Sequence, residues 1–259
     1  MRKQSSNNSH YNKRVKRHRG LKAVLCAAFL CLTAAFMSVM VLKSKSYLFD
    51  DPPPINEFPC RGAYVSEKTG EINWERFNEK YISFVYIRAT RGTAFADKSS
   101  SDNIKGAKRS GIPFGVVHDF DFGSSGKLQA DNFIKVIKGC SLIPAVDIRQ
   151  SVIERIFSND ERASEELAKF IGIVKKSSGG KILLITDKSS YETFGPLTED
   201  CLILAFDSET ENYCKWDILA YSEDGRSEGL TDKKRRYTML SAQKGVSLEQ
   251  LLNEMSLKN

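Results

Sequence analysis

Leu142-Ile143-Pro144-Ala145-Val146-Asp147-Ile148-Arg149 is a short apolar run that closes on charge. Successive side chains of a strand point to opposite faces, so Asp147 and Arg149 share one face and Ile148 takes the other. Similar short apolar runs lie at Gly62 to Ser66, Phe84 to Ala89, Phe114 to His118, Ile182 to Thr186, Leu202 to Phe206, Trp216 to Tyr221 and Tyr237 to Leu240. Between the early runs lie stretches with helical spacing: Trp74, Phe77 and Tyr81; Ile104 and Ala107; Ala130, Phe133, Ile134 and Ile137; Leu167, Phe170, Ile171 and Val174. Strand alternating with helix predicts an α/β fold with a parallel sheet. The gaps from Phe206 to Trp216 and from Tyr221 to Tyr237 are too short or too polar for a regular crossover helix. The expected architecture is therefore an irregular TIM-like barrel with helices missing in its last third. In such a barrel the C-terminal strand ends form the floor of the site, which puts Asp147 and Arg149 there. Ser247 and Gln250 have capping-box spacing ahead of Leu251 and Leu252, predicting a final short helix.

The chain has 259 residues and a formal net charge of +7. Residues 1–22 hold eight Lys or Arg and no acid, and Lys43 and Lys45 follow; these ten cations against a total of +7 leave −3 for the remainder. A slightly acidic globular part argues against a nucleic-acid partner, which requires a basic folded face. Residues 23–42 carry no charge and are mostly apolar. That length suits one transmembrane helix. The flanking cations place the N-terminus in the cytoplasm and everything from about Lys43 outside the cytoplasmic membrane. A cleaved signal peptide is the rival reading, but the run is longer than the usual roughly 7 to 15 residues and no A-x-A-like site follows. The expected organisation is a basic tail (1–22), an anchor (23–42), a spacer (43–59) stiffened by Pro52, Pro53, Pro54 and Pro59, and a barrel (60–259).

Cys26 and Cys31 fall inside the apolar run and read as ordinary helix residues. Cys60, Cys140, Cys201 and Cys214 fall in the exported part, where disulfides persist. Three connectivities are possible, and Cys201 with Cys214 is the first choice because each stands just before an apolar run. No CxxC spacing or nearby His accompanies them, so neither a metal nor a cofactor is expected.

Several runs in order carry a resemblance: RGAYVS with GEINW after it, FVYIRATRG, NIKGAKRSGIPFGVVHDF, QADNF, LIPAVDI and WDILAYSEDGR. Together, over about residues 61–245, they resemble glycoside hydrolase family 25, the lysozymes that cleave peptidoglycan beside N-acetylmuramic acid. The resemblance implies an irregular barrel with a sugar cleft at the strand ends. In the family the strand matching LIPAVDIR ends in Asp-x-Glu, with the Glu as proton donor; here Asp147 is kept and Arg149 takes the Glu position. Tyr64 stands where the first family strand carries an Asp. Arg91 replaces an acid in the run Arg88-Ala89-Thr90-Arg91-Gly92. His118 is kept, Val117 replaces a usual Tyr, and Leu219 and Ala220 stand where a Trp-Gln pair is usual, although Trp216 and Tyr221 match.

Glycoside hydrolysis generally uses two carboxyl groups, one of them protonated to donate to the leaving oxygen. An arginine holds its proton too tightly to be that acid, and its charge favours ionised Asp147. The leading expectation is a membrane-anchored, catalytically impaired domain that keeps Asp147 as the remaining acid and binds cell-wall glycan or peptide, or a protein partner, through Tyr64, Arg91, His118, Arg149 and Tyr221. A second is an active muramidase whose acid has moved to Asp119 in the run His118-Asp119-Phe120-Asp121-Phe122, and a third is a non-enzymatic envelope assembly protein. In the bland reading Asp119 and Asp121 are loop acids pairing with Arg91 or Arg149, His118 is a hydrogen-bonded strand-end residue, and Trp216 packs in the core. Lys233 to Arg236 reads as a solvated turn.

Overall fold

A computed structural model describes residues 28–34, 54–77, 82–157, 159–197, 199–206 and 214–257. The chain divides into two compact units, Met1–Asp50 and Asp51–Asn259. In the first, residues 28–34 are helical; the rest of the expected anchor lies outside the described residues. Among the described residues no helix is long and apolar enough to cross a membrane.

In the second unit all eight expected strands form, as β1 (Arg61–Val65), β2 (Phe84–Arg91), β4 (Phe114–Asp119), β5 (Ala145–Asp147), β6 (Leu183–Thr186), β7 (Leu202–Ala205), β8 (Ile218–Gly225) and β9 (Tyr237–Ala242), with β3 (Phe95–Ala96) as an added antiparallel edge on β2. The order β1-β9-β8-β7-β6-β5-β4-β2 and the β1–β2 pairing close an eight-stranded barrel. Neighbours are parallel from β1 through β8, whereas β9 runs antiparallel to both β8 and β1. The missing crossover helix is the expected irregularity; the reversal, which was not foreseen, follows from it, since the described residues between β8 and β9 form no helix that could return the chain.

The helices, in chain order, are α1 (Trp74–Phe77), α2 (Ser100–Ser110), α3 (Gly126–Ile137), α4 (Val152–Phe157), α5 (Asp160–Ser177), α6 (Lys188–Phe194) and α7 (Leu248–Met255). Tyr81 lies outside the described residues. Short α4 and α6 have too few turns to show a helical period, and the sequence reading missed them. The capping box of α7 forms as expected, with Gln250 N donating to Ser247 Oγ at 3.2 Å and Ser247 N to Gln250 Oε1 at 2.8 Å. Strand β5 begins only at Ala145, because Pro144 has no N–H to give a ladder. The preceding residues pair with the chain end instead: Leu142 bridges Ser256, and Ile143 N donates to Met255 O at 2.8 Å. Glu57, expected in the spacer, is tied to the barrel by Gly245 N at 2.7 Å and by Lys244 Nζ at 2.6 Å.

Alternation along the strands makes two cores. Phe84, Tyr86, Val117, Ala145, Leu183, Ile185, Leu204, Ile218 and Leu240 fill the barrel, and Val65, Val85, Ile87, Val116, Val146, Ile148 and Leu184 pack outward with Phe133, Leu167, Phe170 and Val174 of the helices. Inside the barrel the large rings need glycine partners. A Cβ on Gly62 would come within 2.4 Å of the Phe84 ring, and one on Gly115 within 2.5 Å of Tyr86 and 3.0 Å of the Ile143 carbonyl. Gly115→Ala is therefore expected to cost about 1 to 3 kcal/mol, the usual range for overpacking, read as a lower urea midpoint. An unchanged midpoint would mean that Tyr86 can move aside.

Candidate functional site

The strand ends of β1, β2, β4 and β5 meet the β8–β9 turn around a cleft of about 560 Å³. Its floor holds Tyr64, Arg88, Asp119, Asp147 and Arg149; its rim holds Lys68, Arg91, Glu223, Lys234, Arg235 and Arg236. Cations outnumber acids among these side chains.

Asp147 and Asp119 stand in register on adjacent parallel strands. Asp147 is fully engaged: Arg149 Nε donates to Oδ1 at 2.9 Å, Nη2 to Oδ2 at 2.6 Å, and the Arg149 backbone N to Oδ1 at 3.1 Å. The Arg149 guanidinium also lies 3.5 Å from the centre of the Phe206 ring, a cation–π contact that holds its plane. Burial works against the Arg149 charge, but the Asp147 carboxylate outweighs it and raises the guanidinium pKa further. The expectation that these two charges look into one space holds geometrically, and they neutralise each other there.

Asp119 is in a different state. Its Oδ2 lies 3.4 Å from Arg88 Nη1, while Oδ1 is buried without a hydrogen-bond partner among the described residues. Burial, then the Asp147 charge, push its pKa up to about 6 against the pull of Arg88, Arg91 and Arg149. It is an acid that carries its proton for part of the time near neutral pH. Tyr64 stands among these groups. Burial, then Asp119 and Asp147, hold its phenol protonated well above the ordinary range, opposed by Arg149 and Arg88.

A register shift in β2 decides what else reaches the cleft. Arg88 pairs with Val117 but Thr90 with His118, so the bulge between them changes the parity of the strand end. Arg91 thereby comes opposite Asp119 and reaches the rim, where it meets Glu154 at 3.4 Å. Thr90 turns outward to bond His118 Nδ1 at 2.8 Å.

His118 is thus not in the cleft. It is fully buried between barrel and helices, stacked on Phe170 with ring centres 4.9 Å apart and bonded through Nε2 to Gln129 Oε1 at 3.1 Å. Burial pushes its pKa down to about 4, so it stays neutral. Placement among the binding residues is corrected by the alternation of β4: Val117 and Asp119 face in, so His118 faces out. Tyr221 also falls outside the cleft lining, with Arg61 and Tyr237 as its electrostatic neighbours. Asp121 closes its own turn, accepting from Ser124 Oγ at 2.5 Å and Gly123 N at 3.0 Å, and meets neither Arg91 nor Arg149.

Cys201 and Cys214 are both free thiols in the structure, so the expected disulfide is not formed. Cys201 Sγ instead donates to Leu197 O at 3.9 Å, and both sulfurs pack against the outer core. Trp216 packs there too.

Sequence reasoning missed Arg88, Phe206 and, on the rim, every residue except Arg91. Arg88 was legible: it lies two residues beyond Tyr86 on one strand face, and it ties Asp97 at 3.0 Å, Glu67 at 3.3 Å and Asp119 together. Lys234, Arg235 and Arg236, read as a solvated turn, line the cleft because β8 and β9 carry their connection over it.

The family model for glycosyl hydrolases family 25 matches residues 64–230, and the chain belongs to that family. Lysozyme M1 of Streptomyces globisporus is 38% identical over 81 residues, which is 31% of this chain and 28% of that protein's length. A family 25 glycosyl hydrolase structure from Bacillus anthracis superposes with a TM-score of 0.66 at 24% identity, covering 76% of this chain and 93% of that one. The modular autolysin LytC of Streptococcus pneumoniae, solved with a synthetic peptidoglycan ligand, gives a TM-score of 0.59 at 19% identity, covering 70% of this chain and 46% of that one.

Proposed function

We propose that this protein is a catalytically impaired family 25 domain that binds peptidoglycan glycan or peptide, tethered by residues 23–42 to the outer face of the cytoplasmic membrane. Family membership and the lysozyme relatives support peptidoglycan as the polymer. The observation that carries the impairment is the bidentate Arg149–Asp147 pair, which occupies the retained carboxylate and places a permanent cation where the family has its proton donor. The cation-rich lining suits the carboxylates of stem peptides through its excess of positive charge.

The full chain is expected to sediment with purified peptidoglycan while releasing no more reducing ends at pH 7 than a blank. Hydrolysis at a rate comparable with an active relative would sink the impairment. A second reading is favoured by one observation, the part-protonated and half-unpartnered Asp119, which supplies a relocated acid. It predicts hydrolysis that rises as pH drops through about 6 and vanishes in Asp119→Asn. For the tether, the expected result is a protein that leaves membranes with detergent but not with high salt; a mature N-terminus between Lys43 and Pro54 would refute it.

A further inference from the structure

Beyond the cleft floor, the turn between β8 and β9 makes a separate basic wall. Asp232 builds it: its Oδ1 accepts from Lys234 N at 2.9 Å and its carbonyl from Arg235 N at 3.0 Å. Arg235 then fastens the turn to the other side of the cleft, its Nη1 donating to Lys68 O at 3.2 Å. Its stem passes over Gly70, where a Cβ would lie 3.3 Å from Arg235 Cγ and where φ is +79°. Arg236 is fixed by Asp224 Oδ1 at 2.6 Å and by the carbonyls of Lys233 and Arg235 at 2.8 and 2.7 Å.

Arg236 thereby spends Nε and Nη1 and cannot grip a planar carboxylate through two parallel bonds, whereas Arg235 is tethered through Nη1 and by an ion pair of Nε with Asp232 at 3.6 Å. Each still contributes its charge. Lys68 and Lys234 differ: both line the cleft, and neither ammonium makes a hydrogen bond or ion pair among the described residues. An ammonium binds phosphate as a point charge, without a demand for planar geometry. Several cations set along both sides of one cleft answer to a ligand with repeated charges more than to a single anion.

We infer that the two facing sides form a docking rail for a linear phosphodiester polymer, with Lys68 and Lys234 meeting successive phosphates and Arg235 holding the sides in register. The inference rests on the reading of the cleft as a cell-envelope ligand site and adds a second polymer class to it.

The test is titration of the full chain, in detergent micelles, with an end-labelled synthetic poly(glycerol phosphate) oligomer. Binding is expected, weakening about tenfold or more between 50 and 200 mM salt, as multiple phosphate contacts require. Lys68→Ala/Lys234→Ala should weaken it about tenfold, and because neither ammonium has a partner among the described residues, the variant should keep its native urea midpoint. Absence of binding by the parent chain, equal binding by the variant, or equal competition by polyglutamate of the same length each overturns the rail. Stronger competition by anionic phospholipid vesicles than by free oligomer overturns it in favour of a lipid surface. Failure to sediment with peptidoglycan while the oligomer still binds removes the function proposed above and leaves the rail standing; the converse result removes only the rail.

Discussion

Arg149→Glu is expected to raise the release of reducing ends from peptidoglycan by about 100- to 10,000-fold over the parent chain, the usual worth of a general acid. The substitution acts twice. It breaks the clamp that occupies both oxygens of Asp147, and it returns a carboxyl group to the position from which the family's donor acts. Two carboxyls that close repel each other's ionised forms, so one of them keeps a proton at higher pH and can give it away. Removing the cation should also lower sedimentation with peptidoglycan. Unchanged binding would show that Arg149 serves only to neutralise Asp147. No gain in hydrolysis, even with Tyr64→Asp added, would mean that Arg149 and Tyr64 do not limit hydrolysis.

Asp119→Asn is expected to stabilise the fold by about 1 to 3 kcal/mol at pH 8, because the parent keeps an ionised carboxylate in a buried place that favours its neutral form. The sign follows from proton uptake. A native pKa of about 6 lies above the ordinary 3.8, so Asp119 costs stability above pH 6, and that cost is recovered as pH falls toward 3.8. His118 works the other way. Its native pKa of about 4 lies below the ordinary 6.5, so its stabilisation is present above pH 6.5 and is lost as pH falls toward 4, by about 3 kcal/mol in all. The two nearly cancel in the parent between pH 6 and 4. Asp119→Asn should expose the His118 limb as a steep decline in that window, with the two proteins equally stable near pH 4. Parallel urea-unfolding curves for parent and variant across pH 4 to 8 would refute this account of Asp119.

The barrel was legible because its strands are short apolar runs separated by helical periods, and both signals are local. Asp147 and Arg149 were placed correctly for the same reason: strand alternation needs only neighbouring residues. His118 shows where that reasoning must be carried through, since the alternation that puts Asp119 in the cleft excludes the residue before it. The bulge between Arg88 and Thr90 could not be read, because it is a property of two strands and their register. The same holds for the basic turn, whose Lys234, Arg235 and Arg236 become part of the site only when β9 turns back and carries them over the cleft. Phe206 escaped because its contact with Arg149 spans elements far apart in sequence.

The reversed strand β9 also sets the order in which this chain can finish folding. Leu240 is paired with Gly62 on one side and with Ala220 on the other, so one segment near the C-terminus completes a seam between the first barrel strand and the last parallel one. Until about residue 242 has emerged from the ribosome, the assembled strands form an open sheet whose two borders carry unpaired N–H and C=O groups. Such borders recruit other strands, and slow, long-range closure lengthens their exposure. Chains cut short before Tyr237 should therefore aggregate through sheet edges even though seven of the eight barrel strands are present. For a chain delivered N-terminus first, the interval before β9 arrives is the period in which a chaperone has most to protect.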